Sequence, residues 1–269
     1  MRGDILKKKL MVLCAVAIMI STCLTGCKMS SGKIRFGSAG IGGTYQIFGD
    51  TFANLISSKS KKYNIEVKTT AGSAANLRLL SKDYIQMAVA QMDLINDAYN
   101  RTGIFENDKK YQGYRAVASL YTEACQIVIP ADSDIQSVDD LEGKKVCIGE
   151  EESGTDQNAL QILNAYGLNE KLVDTVNLNY TDAAKKLKSG DIDAFFCTAG
   201  VQTTVINELS KQCKIRLVSL DQKGISRLKK SYKFYTEYTI PAGTYVNQTT
   251  EVKTVGVKAV LLASDKLSE

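Results

Sequence analysis

Ile34-Arg35-Phe36-Gly37-Ser38-Ala39-Gly40-Ile41-Gly42-Gly43-Thr44-Tyr45 runs from a short apolar strand pattern, through a glycine-rich loop, into a helix start. Phe48, Phe52, Leu55 and Ile56 continue that helix along one face. Asn64 to Thr70 then alternates as a strand, and Ala71-Gly72-Ser73 leads into a helix carrying Leu77 and Leu80. Met87-Ala88-Val89-Ala90 is a short strand ending at Gln91. A β-α-β-α-β rhythm of this kind implies an α/β fold with a mostly parallel sheet and helices on its faces.

The same rhythm returns further on. Lys145-Val146-Cys147-Ile148-Gly149 reads as a strand, Glu150 to Gly154 as a loop, and a helix starts near Thr155 with Leu160 and Leu163 inside and Gly167 as C-cap. Another helix spans about 181–189 and closes at Gly190, before the strand Ala194-Phe195-Phe196-Cys197. Phe36-Gly37 through Thr44-Tyr45 lies over Ile148-Gly149 through Thr155-Asp156, which suits two similarly wound lobes without establishing a duplication. The apolar stretch Val117–Pro130 carries the chain across, and Val255–Ala263 is a later strand able to return it. The expected architecture is two-lobed, with a ligand cleft between the strand ends. Residues 34–122 and 240–269 fall to the first lobe and 123–239 to the second.

In such a sheet the loops after the strands face the crevice. Here these are 38–43, 71–76, 91–93, 150–155 and 198–201, and several open helices whose free N–H groups and dipoles suit a carboxylate or similar anion. Glycine permits close backbone approach, while Thr44, Tyr45, Ser73 and Thr155 add hydroxyls. Gly-Thr before a helix is also an ordinary turn and cap, so the weight lies on the convergence of four loops. The 37–42 loop lacks the G-x-G-x-x-G spacing of a dinucleotide site. Tyr232, Tyr235 and Tyr238 fit amphipathic packing better than a cleft lining.

The chain has no His, which removes Ser-His-Asp and Cys-His nucleophile systems and the usual zinc sites. No catalytic residue, metal site or cofactor is expected. Arg2, Lys7, Lys8 and Lys9 precede an apolar run from Leu10 to Ile20 and then Leu24-Thr25-Gly26-Cys27, the layout of a secretory signal over 1–26. The run is too short to span a bilayer, and a polar tether follows over 27–33. A Leu, two small residues and a Cys resemble a bacterial lipobox, so Cys27 is the expected lipidation site. Outside residues 1–26 stand 30 basic against 28 acidic side chains. That balance gives no electrostatic case for nucleic acid. Cys125, Cys147, Cys197 and Cys213 match no zinc spacing and are read as packed thiols rather than bridges.

Several ordered pieces carry a family resemblance: Gly42-Gly43-Thr44-Tyr45, Gly72-Ser73-Ala74-Ala75-Asn76-Leu77-Arg78-Leu79-Leu80, Ala90-Gln91-Met92-Asp93, Ser119-Leu120-Tyr121 and Gly154-Thr155. Phe234-Tyr235 and Ile240-Pro241-Ala242-Gly243-Thr244-Tyr245 complete the set. From residue 34 to about 263 the chain resembles the TAXI family, the receptor component of tripartite ATP-independent periplasmic (TRAP) transporters. The resemblance implies a type II periplasmic-binding-protein fold without catalytic activity. It also implies a small-molecule ligand of the glutamate, glutamine or dicarboxylate class, handed to TRAP membrane permease subunits. On matching positions the implied contacts are Gly43, Thr44, Tyr45, Ser73, Asn76, Gln91, Asp93, Tyr121, Gly154, Thr155 and Gly200. With Cys27 lipidated, the receptor would be anchored on the outer face of a bacterial cytoplasmic membrane. Family members continue into C-terminal helices where this chain stops at Glu269, so a truncated product or fragment is implied. An exported α/β enzyme, and a sensory or adhesive lipoprotein without transport, stay open as alternatives.

Overall fold

In the computed structural model, which describes residues 33–267, the glycine-rich loop joins β1 (Lys33–Gly37) to α1 (Thr44–Lys59). The leader and Cys27 lie outside the described residues. β2 (Asn64–Lys68), α2 (Ser73–Ser81), β3 (Met87–Gln91) and α3 (Met92–Asn100) follow. The long strand β4 (Tyr114–Pro130) leads to β5 (Lys145–Gly149), α4 (Gly154–Ala165), β6 (Asp174–Asn177), α5 (Tyr180–Ser189) and β7 (Ala194–Ala199). α6 (Thr204–Gln212), β8 (Ile215–Leu217), α7 (Gln222–Ser231), β9 (Thr236–Ile240) and β10 (Val252–Ser264) complete the order.

These strands form one curled mixed sheet in the order β2-β1-β3-β10-β4-β7-β5-β6, with β8 beside β4 and β9 beside β10. Pairing is parallel among β2, β1 and β3 and again among β6, β5 and β7. It is antiparallel wherever β4 or β10 takes part. The expected parallel sheet thus exists twice, joined by two antiparallel strands. Both are long enough to serve both halves: among the described residues the start of β4 pairs only with the end of β10, while its residues Ala124–Val128 pair with β7. Burial follows from this, since Arg115–Ser119 lie on an open edge and are exposed whereas Ala124–Ile129 are buried.

Where the two strands cross between halves, Lys258 faces Thr122 but Val260 faces Ser119, so β4 carries an extra residue. Such a bulge bends its strand and re-aims the neighbouring side chains. Each half has a core on both sheet faces. In the first, Phe36 packs under α1 against Phe48 and Phe52, and Leu77, Leu80 and Phe105 fill the opposite face. In the second, Ile162, Leu163 and Phe196 lie on one side and Leu187, Phe195 and Ile206 on the other. Ile240, Tyr245 and Val252 belong to this second core because β9 folds back on β10. β10 pairs with β9 over Val252–Gly256 and with β3 from Ala259 onward. Cys125, Cys147 and Cys197 are buried free thiols, and Cys213 is also free.

Candidate functional site

The loops that precede helices meet between the two halves. From the first half come Gly40, Gly43, Thr44 and Tyr45 at the start of α1, Gly72 and Ser73 at the start of α2, and Gln91 at the end of β3. Opposite them stand Glu150, Ser153, Gly154 and Thr155 before and within α4, Asn179 and Tyr180 at the start of α5, and Thr198 and Ala199 ending β7. Glu123 enters from the crossover on β4. The space among them, mouth included, is about 440 Å³.

Hydrogen bonds tie the walls together. Tyr45 Oη donates to Glu123 Oε2 at 2.9 Å and lies 3.4 Å from Ser73 Oγ, which accepts from the Gln91 backbone N–H at 3.1 Å. On the other wall, Thr155 Oγ1 accepts the Thr198 N–H at 3.2 Å and lies 2.5 Å from Tyr180 Oη. Tyr180 in turn donates to the Thr198 carbonyl at 3.1 Å. Three polar groups are thereby fixed in a closed ring with few rotamers left to lose.

The halves are in contact across the pocket. Glu152, in the left-handed region with φ 64°, turns its carbonyl to accept from Ala74 N at 3.1 Å and Ala75 N at 3.3 Å. Those amides are orphan donors of the first turn of α2, so the second half caps a helix of the first. Arg78 Nη1 reaches Glu152 Oε1 at 2.5 Å, and Asn158 Nδ2 reaches Asp93 Oδ2 at 3.2 Å. Thr203 Oγ1 donates to the Gly42 carbonyl at 3.2 Å, and Thr181 Oγ1 to that of Ile41 at 3.3 Å. Closest of all is Gly154, where a Cβ would land on the Gln91 carboxamide.

Burial dominates the electrostatics. Desolvation pushes the Glu123 carboxyl up to about 8, against weaker lowering by Gln91 and Tyr45, so at neutral pH it is mainly the neutral acid. Glu150 is raised too, by desolvation and then by Asp182. The buried Tyr45 and half-buried Tyr180 are phenols held well above their ordinary range, chiefly by desolvation.

Of the residues expected to touch ligand, Gly43, Thr44, Tyr45, Ser73, Gln91, Gly154 and Thr155 line this pocket. Asn76, Asp93, Tyr121 and Gly200 lie outside its lining. Asn76 is a buried staple: its Nδ2 donates to the Ser38 carbonyl at 2.7 Å and the Val89 carbonyl at 2.9 Å, and its Oδ1 accepts from Thr70 at 2.8 Å. Asp93 caps its own helix through Leu94 N at 2.9 Å and meets Asn158, and desolvation lifts it to about 6. Gly200 packs behind Thr44 and Tyr121. Tyr235 is buried and bonded to Asn158 and Gln161, a packing role. Asn76→Ala should cost about 2–3 kcal/mol of stability by orphaning buried carbonyls, read by urea denaturation of the ligand-free protein.

Glu123, Asn179 and Tyr180 are lining residues that the loop reading did not single out. Asn179 had a signal, since Asn three residues before Asp182 at a helix start is a capping pattern, and its Oδ1 accepts the Asp182 N–H at 2.9 Å. Glu123 and Tyr180 had none, as strand and helix-start residues of no special spacing.

Residues 36–269 match a family model described as the NMT1-like family. Among solved structures, the alkanesulfonate-binding protein SsuA from Xanthomonas axonopodis pv. citri, bound to MOPS, is 15% identical with a TM-score of 0.53. The match covers 87% of this chain and 66% of that one. A truncated ArgBP from T. maritima in its arginine-bound form is 11% identical with a TM-score of 0.53, covering 87% of this chain and 89% of that one. The periplasmic aliphatic sulphonate binding protein SsuA from Escherichia coli is 17% identical with a TM-score of 0.48, covering 88% and 62%. The chain thus spans less than two thirds of the length of either SsuA protein. At these identities the likeness shows the fold: an α/β architecture of the type II periplasmic-binding-protein kind.

Proposed function

The chain belongs to the NMT1-like family, and on that premise we propose that it is an extracytoplasmic solute receptor of the TAXI type serving a TRAP-type permease. The observation that carries the reading is the pocket between the halves, to which both contribute helix starts and buried hydroxyls. Opening and closing about β4 and β10 would admit a small solute and then exclude water, strengthening each hydrogen bond to it. On this reading residues 34–122 with the end of β10 form one lobe, and the residues from 123 to near Lys258 form the other.

Amides at the start of α1, and those of Gly154 and Thr155 at the start of α4, suit the carboxylate of glutamate, glutamine or a dicarboxylate, while the Asp156 amide is already held by Ser153 Oγ at 3.0 Å. The lining side chains named above are the proposed contacts. None of them composes a nucleophile–base pair, and the role proposed is binding without turnover. Native mass spectrometry of the purified mature protein, with thermal shifts against these solutes, tests the reading. A retained or added small metabolite that raises Tm supports it. Folded protein with no bound mass and no shift across a broad metabolite panel would count against it.

The anchor at Cys27 is part of the same proposal. A lipid there keeps the receptor near its permease and raises its effective concentration. Cys27→Ala should release the protein from the membrane fraction with ligand affinity unchanged, followed by fractionation and immunoblotting. Persistent membrane attachment of the variant would refute the lipid role.

A further inference from the structure

We propose that Glu123 and Gln91 form an ammonium subsite, so that the solute carries a protonated amine. The proposal rests on the receptor reading above and narrows its ligand. The ionisable carboxyl side chains lining the pocket are Glu123 and Glu150, and among the described residues no Lys or Arg lines it. A purely anionic solute would bring its charge toward two carboxyl groups with no fixed cation to offset it. Helix starts answer part of an anion's charge, but the Ala74 and Ala75 amides of α2 are already taken by Glu152.

Gln91 supplies the independent observation. It is 2% exposed, lines the pocket, and its Oε1 has no hydrogen-bond donor among the described residues. A buried acceptor without a donor is costly, and an ammonium group brings three N–H donors and no acceptor. Gln91 and Glu123 flank β10 opposite Ala259 and Val257, close enough for the Gln91 side chain to bond the Glu123 carboxyl. Tyr45 fixes the carboxyl from the other side at 2.9 Å. The two side chains are therefore set in place before ligand arrives, and Glu123 becomes a full acceptor when the arriving ammonium displaces its proton. An amino-acid zwitterion fits this arrangement, with its ammonium on Glu123 and Gln91 and its carboxylate on the amides of α1 and α4.

Protonation gives a direct readout. The groups facing the Glu123 carboxyl are Tyr45 on α1, Gln91 on β3, Asp93 at the start of α3, Tyr121 and Cys125 on β4, Tyr180 on α5 and Cys197 on β7, and none is a cation. Burial holds the empty site's Glu123 at about 8, so an arriving ammonium favours the carboxylate and expels a proton near pH 7. Above pH 9 the carboxyl is already ionised and the release vanishes.

The test is calorimetry with matched pairs: L-glutamate against 2-oxoglutarate and glutarate, L-aspartate against succinate, and the remaining amino acids. Titrations at pH 7 in buffers of different ionisation enthalpy count the protons. The expected result is binding of an amine with proton release, and its deaminated counterpart weaker by on the order of 100-fold. Glu123→Gln should lose affinity and the proton release together. The wild-type proton count stands on its own if that variant does not fold. Equal or tighter binding of the oxo acids or dicarboxylates, or amine binding with no proton release, would overturn the subsite and leave the receptor reading intact. Silence from every solute would overturn the receptor reading and the subsite with it.

Discussion

Gly154→Val should abolish solute binding while both halves of the protein stay folded. Gly154 opens α4 on the second half, and Gln91 of the first half lies against its Cα so closely that a Cβ would occupy the place of the carboxamide. Its φ is not in the left-handed region, so valine brings no backbone strain there. With the halves apart, the side chain projects into open solvent and is harmless. With the halves together, either Gln91 must leave its buried position or the halves must stay open. Apparent affinity falls with the fraction of molecules able to close. A loss of at least about 100-fold is expected, equivalent to about 2.7 kcal/mol. The Tm of the ligand-free protein should move by only a few degrees. Gly200→Ala is the matched control, since a Cβ there meets Thr44 at 3.4 Å and the Tyr121 ring at 3.5 Å, near ordinary contact. Binding by that variant should stay within a few-fold of wild type. Calorimetry on both decides it: equal loss in the two variants would mean that the cleft tolerates no added atom anywhere, and that the Gln91–Gly154 approach is not special.

Stability should fall as pH rises from about 5 to 8, and Glu123→Gln should remove most of that fall. The folded protein holds the Glu123 carboxyl near 8, mainly by desolvation, against an ordinary value of 4.5. Between those values the folded state binds more protons than the unfolded chain, so each added pH unit favours unfolding. The stabilising contribution is complete below 4.5 and is lost as pH climbs through 8. At 1.36 kcal/mol per unit, the loss is on the order of 4 kcal/mol. Asp93, lifted to about 6, acts in the same direction over a lower window. Glutamine keeps an acceptor for the Tyr45 hydroxyl and has no proton to lose. Urea denaturation in buffers from pH 5 to 9 should therefore give stabilities that nearly coincide at pH 5, separate progressively up to about pH 8 and keep that gap above it, with the variant more stable. Parallel curves would assign the pH dependence to other groups.

The loops around the site were legible because they are local. Gly43-Thr44 and Gly154-Thr155 each join a strand end to a helix start, and backbone geometry alone then turns them toward the crevice. The two halves were legible for the same reason, as repeated short-range β-α units. What the sequence hid depends on long-range pairing. Glu123 reads as one residue in an apolar strand, and its inward direction follows from the pairing of β4 with β10 and the bulge beside it. Tyr180 reaches Thr155 because β6 sets where α5 begins beside β5. Asn76 and Asp93 lie outside the pocket lining for the converse reason. Both sit in helix starts near the crevice, but their side chains satisfy the buried Ser38 and Val89 carbonyls and the Leu94 amide. The pairing of β9 with β10 was hidden in the same way, since it joins Thr236–Ile240 to Val252–Gly256 across an intervening loop.

On the proposed function, the space between the halves holds one small solute and closes around it. Calorimetric titration of the mature wild-type protein and Gly154→Val with L-glutamate and L-glutamine tests this most directly. The expected result is saturable binding of one solute per chain in the wild type and no measurable heat in the folded variant. Undiminished binding in Gly154→Val would contradict the account, because the solute would then bind without closure of the cleft.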